Sequence, residues 1–204
     1  MLRNGWRILA TSNVHARFYS GQGLKSLFLM CALPLHIWTF ILAFRDFSWV
    51  SDRTNSWDSI GVLSYGLVFA LIESIAVFII IVILGLLVSK KWEENRRITL
   101  LSLYIIILSI WAMVSHLYFL MEISPPPQII NIIIGFTHPL RSIYAITFSL
   151  LASTFLIPSY LILQLKKPYQ FIKDGLDQFS LLMTLYLFFD FAALIVILIR
   201  NIRG

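Results

Sequence analysis

Residues 60–89 form a nearly uninterrupted apolar run that holds one acidic or basic side chain, Glu73. About 20 residues of helix already cross the ~30 Å hydrocarbon layer of a bilayer, so this run predicts a transmembrane helix. A carboxylate at that depth is costly and usually faces protein or water rather than lipid. This stretch therefore predicts a membrane protein, in which the side chain of Glu73 is expected to face protein or water rather than lipid.

The composition of the whole chain agrees with a membrane protein. Hydrophobic residues make up 59% of the 204 residues and charged residues only 13%. Soluble domains are typically about 25% charged. The segments between apolar runs are too short for a second, water-soluble domain. We therefore expect a single transmembrane domain over residues 26–204, preceded by a basic segment over residues 1–25.

Four further apolar runs predict an all-α polytopic bundle of about five transmembrane helices. The polar stretches 45–58 and 166–178 are predicted to be loops, the second turning at Gly175. The apolar run 129–136 is too short to cross, so it lies in the interface, re-enters, or packs over the mouth of the bundle. The predicted spans are about 26–44, 60–89, 98–121, 139–165 and 179–199.

The first 25 residues carry basic side chains and no acidic one. Leu2, Trp6 and Leu9 recur at helical spacing, which predicts a basic amphipathic helix lying in the membrane interface. A mitochondrial transit peptide is the competing interpretation, because the segment is Arg-rich and its end resembles a matrix-peptidase cleavage context. We favour the interfacial helix. The basic residues of the segment are Arg3, Arg7, Arg17 and Lys25.

Positive charge is distributed unevenly between the two sides of the predicted bundle. With the N-terminus inside, eleven of the 16 Lys and Arg residues fall on the inner side, and Arg200 and Arg203 are exceptions on the outer side. The positive-inside rule then predicts a cytoplasmic N-terminus and a C-terminus outside. A bacterial plasma membrane is the favoured location, and the mitochondrial inner membrane is the alternative.

The positions of the basic residues also indicate which partners the chain contacts. The basic residues cluster beside the apolar runs, which indicates contact between the protein and anionic lipid headgroups of the bilayer. No basic stripe with interleaved aromatic residues is present, so nucleic-acid binding is not expected.

Five ionisable side chains within the predicted spans form a candidate polar site, since such groups are often functional. The depth of each side chain follows from the number of residues between it and the outer end of its span, at about 1.5 Å per residue. His36, Glu73 and Asp190 then lie about 10 to 20 Å from the outer surface, His116 lies somewhat nearer to that surface, and Arg141 lies nearest. The alternative is that they only hold helices together through hydrogen bonds. The candidates are His36, Glu73, His116, Arg141 and Asp190.

These candidates carry different expectations. For Glu73 a structural and a functional role are equally open. Asp190 is expected to be structural or to contact another subunit, because its span is the last and is predicted to lie at the edge of the bundle. Arg141 is expected to be a snorkelling anchor or, alternatively, the counter-charge of Glu73.

The sequence offers little support for a cofactor or for catalysis. Haem ligation by His36 and His116 is disfavoured, because their predicted depths differ by roughly 5 to 12 Å. A contact between a single His and a pigment stays open. Cys31 is the one cysteine, so it can form neither an intrachain disulfide nor a zinc site, and no metal is expected. The motifs of serine hydrolases, zinc peptidases and P-loop proteins do not occur.

Three functions remain after these exclusions. The lack of a catalytic motif and of a soluble domain favours a non-enzymatic accessory or structural subunit of a larger membrane complex. A small proton- or ion-coupled transporter using Glu73 and Asp190 is the alternative. A membrane-embedded enzyme acting on a lipid-like substrate, with the His, Glu and Arg side chains of the outer half as its site, is the second alternative.

Overall fold

The computed structural model describes residues 19–87, 92–120 and 125–203. All regular secondary structure in these ranges is helical, which confirms the all-α prediction. Most of the predicted N-terminal interfacial helix lies outside the described residues, and residues 21–25 belong to the first long helix. The helices are α1 Gly21–Arg53, α2 Ser56–Leu86, α3 Glu94–Leu120, α4 Pro127–Ile134, α5 Pro139–Gln164 and α6 Lys166–Arg203.

Five of the helices in these ranges, α1, α2, α3, α5 and α6, are long and apolar enough to cross a membrane. Each coincides with one of the five predicted spans. The chain is therefore a multi-pass membrane protein built as a helical bundle.

The predicted loop 45–58 is wrong, because α1 stays helical through Arg53 and α2 begins at Ser56. The side chain of Asn55 accepts a hydrogen bond from the backbone nitrogen of Asp58 at 2.9 Å and so caps the start of α2. At 33 residues, α1 is about 50 Å long, well beyond the hydrocarbon thickness. Polar residues at its end remain helical because helix formation requires no apolar surroundings.

The predicted loop 166–178 is also wrong, since α6 begins at Lys166 and continues through Gly175. Lys173 and Asp177 form an ion pair of 3.4 Å at helical i,i+4 spacing on this stretch. Only Leu165 separates α5 from α6. The connection between the last two spans is therefore a single residue, and the polar stretch extends the helix.

The helix α1 lies at the centre of the bundle, where it packs against α2, α3 and α6. Every residue from position 29 to position 34 is buried, so all faces of α1 are covered there. The helix α6 packs against α1, α2, α3 and α5. The expectation that the last span lies at the edge of the bundle is wrong.

The peripheral span is α5, whose buried residues are Ser159 and Ile162. Three hydrogen bonds attach it to α3, and in one of them Arg96 Nη1 donates to the carbonyl oxygen of Leu163 at 3.0 Å. The hydroxyl groups of Tyr104 and Ser159 lie 2.7 Å apart, and Trp111 Nε1 donates to Thr154 Oγ1 at 3.2 Å.

The apolar run 129–136 forms most of α4, an eight-residue helix that packs on α5 and has no buried residue. A helix of that length spans about 12 Å, which is too short to cross a bilayer.

Candidate functional site

Helices α1 and α6 bring His36 and Asp190 together in the interior of the bundle. Nε2 of His36 lies 2.9 Å from each carboxylate oxygen of Asp190. The His36 residue is 0% exposed and Asp190 is 3% exposed. Within residues 19–87, 92–120 and 125–203, this is the one ion pair in which both members are buried.

The hydrogen bonds of His36 define where its protons can be. Nδ1 lies 2.8 Å from the carbonyl oxygen of Ala32, one turn earlier in α1. A carbonyl oxygen only accepts, so Nδ1 carries a proton. The contact with Asp190 then needs one further proton, held either on Nε2 or on the carboxyl group. The pair is an imidazolium with a carboxylate or an imidazole with a carboxylic acid.

Both of these protonation states have zero net charge. A single buried charge is very costly, whereas a neutral, hydrogen-bonded pair removes most of that cost. His36 and Asp190 can therefore lie at the centre of a membrane bundle without any further counter-charge.

Apolar layers enclose the pair along both helices. One turn further along α1, Phe40 packs against α6, with its ring centroid 5.5 Å from that of Tyr186 and 5.6 Å from that of Phe189. On the other side, Leu33 and Met183 belong to the main apolar core. Cavities of about 210, 260 and 130 Å³ open elsewhere between the helices, and none of these three is lined by His36 or Asp190. The pair is sealed between apolar layers.

The structure does not bring Glu73 to Asp190. Glu73 lies on α2 with its side chain exposed, and it makes no hydrogen bond or ion pair with any residue that the structure describes. The carboxylate of Asp190 is instead engaged by His36. Arg141 is exposed near the start of α5 and forms no ion pair with Glu73 either.

His116 lies apart from the buried pair. Its ring is exposed and packs on Trp38 with the centroids 5.0 Å apart, beside a cavity of about 130 Å³. Both nitrogens of His36 are already hydrogen-bonded, so neither is free to ligate an iron together with His116. The described residues contain no group of three or more His, Cys, Asp or Glu side chains that could hold a metal ion.

A second polar contact joins the start of α2 to the end of α6. Arg200 Nη2 donates to Asp58 Oδ1 at 2.7 Å, and Arg200 Nη1 donates to the carbonyl oxygen of Trp57 at 2.7 Å. A Cβ at Gly61 would lie 2.7 Å from the guanidinium carbon, so this glycine makes room for Arg200. The sequence singled out Arg200 as an exception to the charge bias, but its pairing with Asp58 emerges only from the fold.

At the opposite end of the bundle, the start of α1 is fastened to α3. Ser20 Oγ accepts from the backbone nitrogen of Gly23 at 3.0 Å, and the backbone nitrogen of Ser20 donates to Glu94 Oε1 at 2.6 Å. A polar cleft of about 260 Å³ opens beside these contacts, between α1, α3 and α6.

Tyr19 packs across α2 just before α1 begins. Its hydroxyl donates to the carbonyl oxygen of Val82 at 3.3 Å, and a Cβ at Gly85 would collide with the same hydroxyl. Burial raises the pKa of the Tyr19 phenol, and the nearby positive charge of Arg97 opposes that rise.

Comparison with protein-family models, with curated proteins and with solved structures gives no match for this chain. Its function must be inferred from its own residues. Of the five sequence candidates, the fold joins His36 to Asp190 and leaves Glu73, His116 and Arg141 exposed at separate places.

Proposed function

We propose that this chain is a non-enzymatic, integral membrane subunit of a larger protein complex. The observation that carries the proposal is the His36–Asp190 pair, which is sealed between apolar layers and has every polar atom of the His36 ring hydrogen-bonded. Such a pair holds α1 to α6 as an internal clamp. A bundle whose buried ionisable groups serve its own packing is suited to a structural role.

The peripheral helices support the same role. Along α5, Tyr144 is 74% exposed and Phe148 is 71% exposed, and α4 has no buried residue. Large apolar side chains on a weakly packed outer helix suit contact with lipid tails and with the helices of other subunits.

The orientation that we propose has the N-terminus in the cytoplasm and the C-terminus outside, in a bacterial plasma membrane or, alternatively, the mitochondrial inner membrane. The count of basic residues supports this orientation, because eleven of the 16 Lys and Arg residues fall on the inner side. The double variant Cys31→Ser/Ser56→Cys has a single cysteine, at the start of α2. Labelling of this cysteine by a membrane-impermeant reagent tests the orientation. Labelling from the cytoplasmic side only would contradict this orientation.

Native mass spectrometry after gentle extraction from the source membrane tests the proposed function. The expected spectrum shows the chain bound to other polypeptides at fixed stoichiometry. A monomer or a homo-oligomer, obtained under conditions that keep known complexes of the same membrane intact, would overturn the proposal.

A proton-coupled transporter is the second candidate, and the shared proton of His36 and Asp190 favours it. The purified chain in proteoliposomes, under an imposed membrane potential, tests it with a pH-sensitive dye. If the chain is a transporter, protons enter the liposomes that contain the wild-type chain, and this proton flux is lost in Asp190→Asn. For a structural subunit, the flux through the wild-type chain equals that of protein-free liposomes.

A further inference from the structure

The carboxyl group of Glu73 faces outward from the middle of α2. At 1.5 Å per residue, it lies about 25 Å from Ser56 and about 20 Å from Leu86, the two ends of this helix. It has no hydrogen-bond or ion-pair partner in the part of the chain that the structure describes. An outward-facing carboxyl group at the centre of a transmembrane helix therefore lacks a partner among the described residues of its own bundle.

The side chains around Glu73 cannot satisfy it. Phe69 is 62% exposed, Ile72 and Ile80 are each 56% exposed, and all three are apolar. A carboxylate among them faces hydrocarbon with an uncompensated charge, and a protonated carboxyl group there has no acceptor for its hydrogen bond. Either form is stabilised when another helix brings a complementary polar group.

We propose that the α2 surface around Glu73 is the contact site for a transmembrane helix of another subunit, which carries a Lys, Arg or His opposite Glu73. The inference rests on the proposed function, because it presupposes a partner protein. Its basis is charge complementarity, since a carboxylate and a cation together are neutral in the membrane, as His36 and Asp190 are within this bundle.

The alternatives fit this surface less well. A second copy of the chain, packed through the same surface, would bring two carboxylates together, and like charges repel. Lipid tails can cover α5, whose one charged residue is Arg141 near its start, but they offer nothing to a carboxyl group in mid-span. Ala76, one turn beyond Glu73, is exposed and small, so a partner helix can approach closely there.

A photo-crosslinking residue at Ile72 in the source membrane tests the proposal. The expected product joins this chain to another polypeptide, and the crosslinked peptide maps to a transmembrane helix that contains Lys, Arg or His. Glu73→Leu should lower the yield about tenfold, the change expected for a loss of about 1.4 kcal/mol. Ile60→Leu is the matched control, because Ile60 is exposed on the same helix about 20 Å from Glu73 and the change leaves the charge unaltered, and it should have no effect.

A sharper test exchanges the charge of Glu73 with that of the basic residue on the partner helix. Glu73→Lys should abolish the crosslink, and the partner's basic residue changed to Glu should restore it. A crosslink to a second copy of this chain, to lipid alone, or to a helix without a basic residue would overturn the inference, and so would an undiminished yield in Glu73→Leu.

Failure of the inference and failure of the proposed function give different results. If the complex remains intact and Glu73→Leu leaves the crosslink unchanged, only the inferred contact falls. If the wild-type chain leaves the membrane without any partner, the subunit function itself falls. Thermal unfolding of Glu73→Leu in detergent should match the wild type, since this side chain lies outside the bundle.

Discussion

His36 on α1 and Asp190 on α6 lie 154 residues apart in the sequence and meet at 2.9 Å in the interior of the bundle. The contact connects the central helix to the last helix within the apolar core. Because both side chains are buried, removal of Asp190 leaves Nε2 of His36 without a hydrogen-bond partner, and removal of His36 leaves the carboxyl group of Asp190 without one, in a medium that provides no water.

Replacement of one member of this pair should destabilise the bundle. His36→Ala and Asp190→Ala are each expected to lower the free energy of unfolding by about 1 to 3 kcal/mol, the cost of an unsatisfied buried polar group. Steric trapping in bicelles or thermal unfolding in detergent measures the loss. Asp174→Ala is the control, because Asp174 is exposed on the same helix, and it should leave stability unchanged.

The double variant His36→Leu/Asp190→Leu tests the coupling between the two side chains. It should be more stable than either single alanine variant, because apolar residues can replace a buried pair with little loss. The single variants His36→Leu and Asp190→Leu complete a double-mutant cycle with it, and additive losses in that cycle would show that the two side chains do not interact energetically.

The protonation of His36 can be observed directly by nitrogen-15 NMR of histidine-labelled protein. Because Nδ1 donates to the carbonyl oxygen of Ala32, its signal should be that of a protonated nitrogen in the wild type. The same holds in Asp190→Asn, where the new amide can donate to Nε2. The His36→Gln spectrum assigns the signal, and an unprotonated Nδ1 would contradict this geometry.

Much of the fold could be predicted from the sequence, because the bilayer imposes a length and a polarity on each span. The five apolar runs therefore predicted five helices. The number of residues between each side chain and the outer end of its span placed His36 and Asp190 at a similar depth in the membrane. The helix ends were less predictable. The polar residues of 45–58 and 166–178 mark where the chain leaves the hydrocarbon layer, and the helices α1 and α6 continue beyond that point.

The pairing within the candidate site could not be predicted, because depth alone does not say which helices are neighbours or how each is rotated. Glu73 and Asp190 have similar predicted depths, yet one faces outward and the other faces α1. The contact of Arg200 with Asp58 depends in the same way on α6 packing beside α2.

The ion pair of Arg200 and Asp58 should contribute little to stability despite its short distance. The two side chains are 25% and 34% exposed, and pairs that reach solvent are typically worth about 0 to 1 kcal/mol. Arg200→Gln should therefore lower the free energy of unfolding by less than about 1 kcal/mol, far less than Asp190→Ala. A double-mutant cycle with Asp58→Asn measures the coupling, and a value similar to that of the buried pair would contradict the prediction.

Two glycines in helices should respond in opposite directions to substitution by alanine. At Gly85, a Cβ would collide with the Tyr19 hydroxyl and would lie 2.8 Å from Leu101 Cδ1, so Gly85→Ala should destabilise the bundle by about 1 to 3 kcal/mol. Addition of Tyr19→Phe should recover part of that loss, because it removes the hydroxyl.

At Gly175, by contrast, a Cβ would meet nothing within 4 Å, and the residue lies inside α6. Gly175→Ala should raise the free energy of unfolding by about 0.5 to 1 kcal/mol, because alanine loses less backbone entropy in a helix. Thermal unfolding of the two variants in the same detergent measures both effects. If Gly175→Ala lowered the stability instead, the segment 166–178 would be a loop turning at this glycine rather than part of the continuous helix α6, since only a turn gives glycine an advantage there.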